Sequence, residues 1–327
     1  MTTIEKLAAL RQLMRQHGLA AYVVPGNDPH ASEYMAAHWC EMQWLSGFSG
    51  ESGTMVITLD QALLWTDSRY YLQAGIELKD STINLMRGSD IDCPSIVEWL
   101  KTNSKETKLG LNPEMFSVNQ FSEWKSQLAE AGIELKSMDL IKPIWIEGRP
   151  AIPQDKLYAY SADFAGETVE SKLTRMREII KGKCPNGQWA LITNALDEIA
   201  WLLNIRGNDV EYNPVVVSYV VLQSDRCTLF VDPAKIDAPA ANYLDFNNID
   251  VQTYEAVFNY ISSLNGTVLY DGARVNQALY EAIPDHCQRI NTQSPILIDK
   301  AKKNAVELEG ERIAMRQDAV ALTRFFK

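Results

Sequence analysis

Trp44-Leu45-Ser46-Gly47-Phe48 and Trp201-Leu202-Leu203-Asn204-Ile205-Arg206-Gly207 hold matching places in a motif order that this chain runs through twice, in residues 7–140 and again in residues 173–300. Each copy opens with an apolar-periodic helix, residues 7–14 and then 173–180. A short strand follows, residues 20–24 and then 188–193. After the tryptophan segment come paired apolar runs ending in an aspartate: residues 54–58 with 62–67, and 215–222 with 227–232. Repetition of one α/β unit explains this order better than one long domain does. The period is too long and too degenerate for a solenoid, so two sibling domains are expected.

A length of 327 residues agrees with two domains of about 150 residues. The balance of 31 basic to 42 acidic residues, net −11, argues against a nucleic-acid partner, which calls for a clustered basic face. Five cysteines, at 40, 93, 184, 227 and 287, are scattered without a CxxC pair and predict reduced thiols. Met1-Thr2-Thr3-Ile4-Glu5-Lys6 lacks the basic and apolar regions of a signal peptide, and nowhere do 18 apolar residues run together. The expectation is a soluble, cytoplasmic protein with no membrane partner.

Thr2 and Glu5 can form a capping box on the first helix, and Gly18 can end it. The remaining elements of the first copy read as strand 83–86, helix 94–102, strand 109–111, helix 118–131 and strand 133–135. Helices alternate with strands, which predicts a mixed sheet with flanking helices. Three prolines between Pro143 and Pro153 exclude helix and central strand there. Domain I therefore covers residues 1–142, a proline-rich linker residues 143–156, and domain II residues 157–299, with helices at 171–181, 196–203, 256–263 and 276–283. Residues 300–327 read as one long amphipathic helix in which Leu308, Ile313, Val320, Leu322, Phe325 and Phe326 call for burial. Such an ending suits a helix that opens another domain, so a truncated chain is expected.

No catalytic or metal constellation can be assembled from these residues. His17, His30, His38 and His286 show neither HxxxH nor HxxE spacing. Gly47-Phe48-Ser49-Gly50-Glu51-Ser52-Gly53 carries an acid that would repel phosphate and reads as a tight strand-to-strand turn. There is no GxSxG elbow. One polar cluster stands out: Asn27-Asp28-Pro29-His30-Ala31-Ser32-Glu33-Tyr34, then Gly47-Phe48-Ser49-Gly50, then Trp65-Thr66-Asp67-Ser68-Arg69-Tyr70-Tyr71. Residues just past strand ends line the crevice of an α/β sheet, so Asp67 and Arg69 are placed to reach outward. Two readings stand for them. Asp67 or Ser68 caps the following helix, 69–78, while Arg69 makes an internal ion pair; or Arg69 is a guanidinium clamp for a peptide carbonyl or carboxylate.

These residues resemble a known family. His30-x-Ser32-Glu33-Tyr34, Ser46-Gly47-Phe48-Ser49-Gly50-x-x-Gly53-Thr54 and Leu64-Trp65-Thr66-Asp67-Ser68-Arg69-Tyr70-Tyr71 look like the N-terminal region of the cytosolic Xaa-Pro aminopeptidases, of the creatinase clan. Asp197-Glu198-Ile199-Ala200-Trp201-Leu202-Leu203-Asn204-Ile205-Arg206-Gly207 and Tyr212-Asn213-Pro214-Val215 support the likeness. Ser68 stands where the family string has glycine. The resemblance implies two creatinase-N-terminal-like α/β domains, followed by a "pita-bread" domain holding two Mn²⁺ ions. Residues 300–327 match only the opening helix of that third domain, so catalytic residues, metal ligands and cofactor are expected to be absent from this chain. Carried over residue by residue, Arg69 is the candidate substrate contact, with His30 and Asp67 as lesser ones. The implied partners are short peptides with proline at the second position and a second copy in a homodimer. The implied role is a non-catalytic scaffold that shapes the substrate cleft. The rival expectation is a stand-alone peptide-binding or dimerisation module, in which residues 300–327 fold back as a closing helix.

Overall fold

The computed structural model describes residues 1–104, 107–184 and 187–327. The chain divides into two compact units, Met1–Pro153 with Asn276–Tyr280, and Gln154–Val275 with Glu281–Lys327. The first contains α1 (Thr3–Gln16), β1 (Ala21–Pro25), α2 (Glu41–Ser46), β2 (Thr54–Thr58), β3 (Ala62–Thr66), α3 (Tyr71–Glu77), β4 (Asn84–Arg87), α4 (Ile96–Asn103), β5 (Lys108–Leu111), α5 (Val118–Ala129) and β6 (Glu134–Ser137). Its six strands are ordered β4-β3-β2-β1-β5-β6. β2 runs antiparallel to both neighbours, and the other pairings are parallel. The sheet is mixed, and the carboxyl ends of every strand but β2 share one edge.

Alternate residues of three neighbouring strands build one side of the core. Tyr22 and Val24 on β1, Met55 and Ile57 on β2, and Leu64 on β3 meet the Leu7, Leu10 and Met14 stripe of α1 in one buried cluster. Truncating any of these fully buried side chains to alanine costs about 2–5 kcal/mol. The helix itself starts as the sequence requires: Thr2 and Glu5 form a capping box, and Gly18 adopts φ +65° just beyond its end.

The second unit comprises β7 (Tyr158–Ala159), α6 (Ala162–Ala165), α7 (Val169–Lys183), β8 (Trp189–Thr193), α8 (Leu196–Leu202), β9 (Ile205–Arg206), β10 (Ser218–Gln223), β11 (Cys227–Val231), α9 (Ala238–Phe246), β12 (Asp250–Gln252), α10 (Ala256–Ile261), β13 (Thr267–Tyr270), β14 (Gln288–Asn291), α12 (Pro295–Lys300) and α13 (Ala305–Phe325); α11 (Gln277–Glu281) begins among the residues grouped with the first unit. Its main sheet, β12-β11-β10-β8-β13-β14, repeats the first in order and direction. Details repeat as well. Leu173, Met176 and Ile180 on α7 have the spacing of Leu7, Leu10 and Met14, and Thr168 caps α7 as Thr2 caps α1. Arg177 Nε donates to Gln223 O (3.0 Å) as Arg11 Nε donates to Thr58 O (2.9 Å), tying each opening helix to its sheet hairpin.

One corner is copied residue for residue. Lys6 Nζ donates to Trp44 O and lies 4.8 Å from the Trp44 ring centroid. Lys172 Nζ donates to Trp201 O (2.8 Å) and lies 4.2 Å from the Trp201 ring. Directly after, Gly47 and Asn204 both turn the chain at positive φ. Lys172 is 1% exposed, and burial pushes its ammonium down to about 8. Three residues before each tryptophan stands a buried glutamate, Glu41 or Glu198.

Two expectations need correction. Residues 47–53 form a helix-to-strand loop, not a strand-to-strand turn, because Glu41–Ser46 is helical and ends at Gly47. Residues 300–327 are not one helix: α12 ends at Lys300, and Asn304 with Glu307 builds a new capping box that starts α13. The apolar residues Leu308, Ile313, Val320, Leu322, Phe325 and Phe326 are all exposed in this chain.

The segment that closes the first unit is held at its copy of the corner. Trp145 stacks on Trp44 with centroids 5.0 Å apart, Arg149 pairs with buried Glu41 at 3.0 Å, and His38 Nδ1 donates to Pro150 O at 2.7 Å. Burial, with repulsion from Asp139, pushes the Glu41 carboxyl up to about 8 against the pull of Arg149. The folded state thus holds this proton more tightly than the unfolded chain does, and the group lowers stability as pH rises. Urea unfolding of the first unit is expected to weaken from about pH 5 to about pH 8, and Glu41→Gln should flatten that slope. Arg149→Met, which strands the ionised carboxylate, should cost about 3–5 kcal/mol above that window and less below it.

Candidate functional site

Within the first unit, the carboxyl ends of β1, β3 and β4 and the start of β2 surround a groove of about 500 Å³. Gly26, Gly53, Thr54, Trp65, Thr66, Asp67, Gly88, Ser89 and Ile96 line it, together with Glu51 and Ser52 of the glycine loop. Glycine is favoured at position 53 by close approach: a Cβ there would sit 3.0 Å from Trp65 O and 2.9 Å from Met42 Sδ. The walls are fixed from behind. Trp65 Nε1 donates to Pro94 O (2.9 Å), and Thr66 Oγ1 donates to Ser52 O (2.6 Å). The loop is tied to α3, since Ser49 donates to Glu77 through both its backbone N–H (2.9 Å) and its hydroxyl (2.7 Å).

Asp67 and Arg69 stand at this edge. Asp67 Oδ1 accepts from Arg69 N (3.0 Å), capping the short 3₁₀ turn Ser68–Tyr70 that leads into α3. Arg69 Nε and NH2 then each donate to one Asp67 oxygen at 2.8 Å, a bidentate pair. The guanidinium side chain is 72% exposed and Asp67 30% exposed, so the pair displays a cation instead of hiding one. The capping and ion-pair reading describes this geometry; with most of its surface open to solvent, the guanidinium remains available to a ligand. Hydrogen bonding from Arg69 holds the Asp67 carboxyl well below the usual carboxylate range.

His30 is placed differently. It is 1% exposed, with its ring edge-on to Trp39 at 5.7 Å, and its backbone N–H donates to the Asp28 carboxylate at 2.9 Å. Its ring is closed off from solvent. In the second unit the counterpart of the aspartate turn is Asp232, which caps Pro233–Lys235 by accepting from Ala234 N (2.8 Å). Alanine stands two residues after that aspartate, and Lys235 turns inward to a fully buried pair with Asp209. Among the described residues, no three His, Cys, Asp or Glu side chains gather to hold a metal ion, and no helix is long and apolar enough to cross a membrane.

The sequence reading held Trp65 in its polar cluster but missed Glu51 as groove lining and missed the lysines of the two corners. Lys6 with Arg11 and Lys172 with Arg177 recur at one spacing in helices already recognised as copies, which is the signal that finds them.

Two six-stranded sheets of one topology are what a duplicated domain requires, and the comparisons give its class. Residues 6–142 and residues 148–307 each match a family described as the creatinase/prolidase N-terminal domain. The chain is thus built from two creatinase/prolidase N-terminal domains. It is similar to Xaa-Pro aminopeptidase 1 of Dictyostelium discoideum, 36% identical over 98% of this chain and 52% of that protein, and to aminopeptidase P2 of Arabidopsis thaliana, 33% identical over 98% and 50%. Its fold matches the crystal structure of the X-prolyl aminopeptidase of Caenorhabditis elegans, described as a cytosolic enzyme with a di-nuclear active site. That match has a TM-score of 0.91 and 30% identity, over all of this chain and 55% of that one. The chain spans about half the length of the curated relatives it matches.

If the bidentate pair governs Asp67, a carbon-detected NMR titration should find its carboxyl still ionised at about pH 3. Arg69→Met should return it to the ordinary aspartate range.

Proposed function

We propose that this chain is the non-catalytic N-terminal portion of a cytoplasmic dimetal Xaa-Pro aminopeptidase, which removes an N-terminal residue preceding proline from short peptides. Support comes from two N-terminal-type domains in tandem and from relatives of this name at about twice the chain's length. In this reading two Mn²⁺ ions, bound elsewhere in the longer protein, supply the activated water. The described residues of this chain offer them no ligand set. The chain alone is expected to be inactive toward Xaa-Pro peptides, and its part is to bind and orient substrate, wall the cleft and support a homodimer.

The observation that carries this role is the exposed Arg69 guanidinium, held in one pose by Asp67 at the edge of the groove. A positioned guanidinium can take a peptide carbonyl or carboxylate and fix its register, with Asp67 limiting the rotamer freedom lost on binding. Arg69→Ala in the full-length enzyme is expected to raise KM for tripeptides about tenfold, with kcat little changed. Steady-state kinetics check it, and an unchanged KM removes Arg69 from the site.

A further inference from the structure

The duplicated lysine-tryptophan corner holds, in each copy, the segment by which the chain leaves that copy. In the first unit the departing residues are Trp145 and Arg149, fastened on Trp44 and Glu41. In the second they are α12 and the first turn of α13. Ser294 Oγ donates to buried Glu198 (2.6 Å), and Lys300 Nζ donates to Asp197 (2.8 Å). Trp201 Nε1 donates to Glu307 Oε1 (3.2 Å), while the other oxygen of Glu307 closes the capping box on Asn304 N (2.8 Å). Asn304 Nδ2 reaches Ala165 O (2.8 Å) beside Gly166, where an added Cβ would come within 2.3 Å of the Asn304 side chain. Gly166 has φ +70°, so this slot admits glycine alone.

Within this chain the first turn is the part of α13 that is held, and residues 308–327 are exposed. The grip falls on one end of the helix. A helix of 21 residues is about 30 Å long, and a 10° change in its first turn moves its far end by about 5 Å. Displacements of about 1 Å between substrate and reacting groups are enough to cost about a hundredfold in rate.

We infer that Lys172, Trp201 and Glu307 are positioning residues: they aim α13, and through it set the reacting groups of the longer enzyme against the bound peptide. Lys172 fixes the tryptophan from its carbonyl and ring face, and bonds Asn204 Oδ1 (2.8 Å) at the turn that follows. Trp201 in turn holds α13 by a single indole N–H. This inference rests on the aminopeptidase reading for its catalytic consequence, but the grip itself belongs to this chain.

Trp201→Phe keeps an aromatic face over Lys172 and removes the indole N–H together with part of the buried ring volume; Glu307→Ala removes the acceptor, and with it the capping-box bond to Asn304 N, from a half-exposed helix position. In the full-length enzyme each is expected to lower kcat about tenfold with KM within about twofold, and the double variant should be no worse than either single one. In this chain alone, both variants should speed amide exchange in residues 305–310 and leave the strands of the second unit unchanged. Unchanged kcat, or losses that multiply in the double variant, overturns the positioning role. Unchanged exchange at 305–310 overturns the grip itself. A full-length wild type that does not cleave Xaa-Pro peptides overturns the aminopeptidase reading, and the exchange result still decides whether the corner holds α13.

Discussion

A lysine laid across a tryptophan, donating to that residue's own carbonyl, is the contact on which both halves of this chain are organised. The Lys172 ammonium, buried this far, is costly unless its donors are satisfied, and the corner satisfies it with a carbonyl, a π face and a side-chain amide; the half-buried Lys6 has the carbonyl and the π face. The corner locks the opening helix to the short helix before the glycine or asparagine turn. That in turn fixes where the loop after the first strand can run. Removing the lysine from either copy would leave a carbonyl and an indole face without their common partner.

The two sheets then follow from chain economy. Each opens with a helix whose stripe covers alternate residues of a hairpin, and each finishes with two parallel strands reached through crossover helices. Five strands in each share a direction, which brings polar loop residues to one edge. In the first copy that edge holds the groove and the Asp67–Arg69 pair.

Much of this was legible in one dimension. The repeat, the strand pairs 54–58 with 62–66, and the α1 stripe come from periodicity, and the Thr2–Glu5 box from local hydrogen-bond chemistry. Asp67 as a cap was readable because a carboxylate at a strand end has a free N–H two residues on. The short helix Glu41–Ser46 was not, since its stability comes from burying Met42 and Leu45 against residues distant in sequence. α9 escaped notice although Asp237 and Pro239 mark its start, because a stretch with three alanines, a tyrosine, a leucine and a phenylalanine lacks a clear helical stripe. The break before α13 lay in one asparagine whose role is only apparent beside Gly166. Burial was the least legible quantity: the enclosed ring of His30 and the bare face of α13 both run against what residue type alone suggests.

The paired aspartate turns show what duplication has allowed. Asp67 and Asp232 cap the same turn after the same strand, yet the first holds a guanidinium out to solvent and the second sits beside a lysine turned inward to Asp209. The same turn thus serves in a presenting version in one unit and an internally paired version in the other. A single domain would have had to choose between displaying its cation and spending it on internal cohesion; with two, selection can remodel the display side while its sibling keeps the inherited architecture.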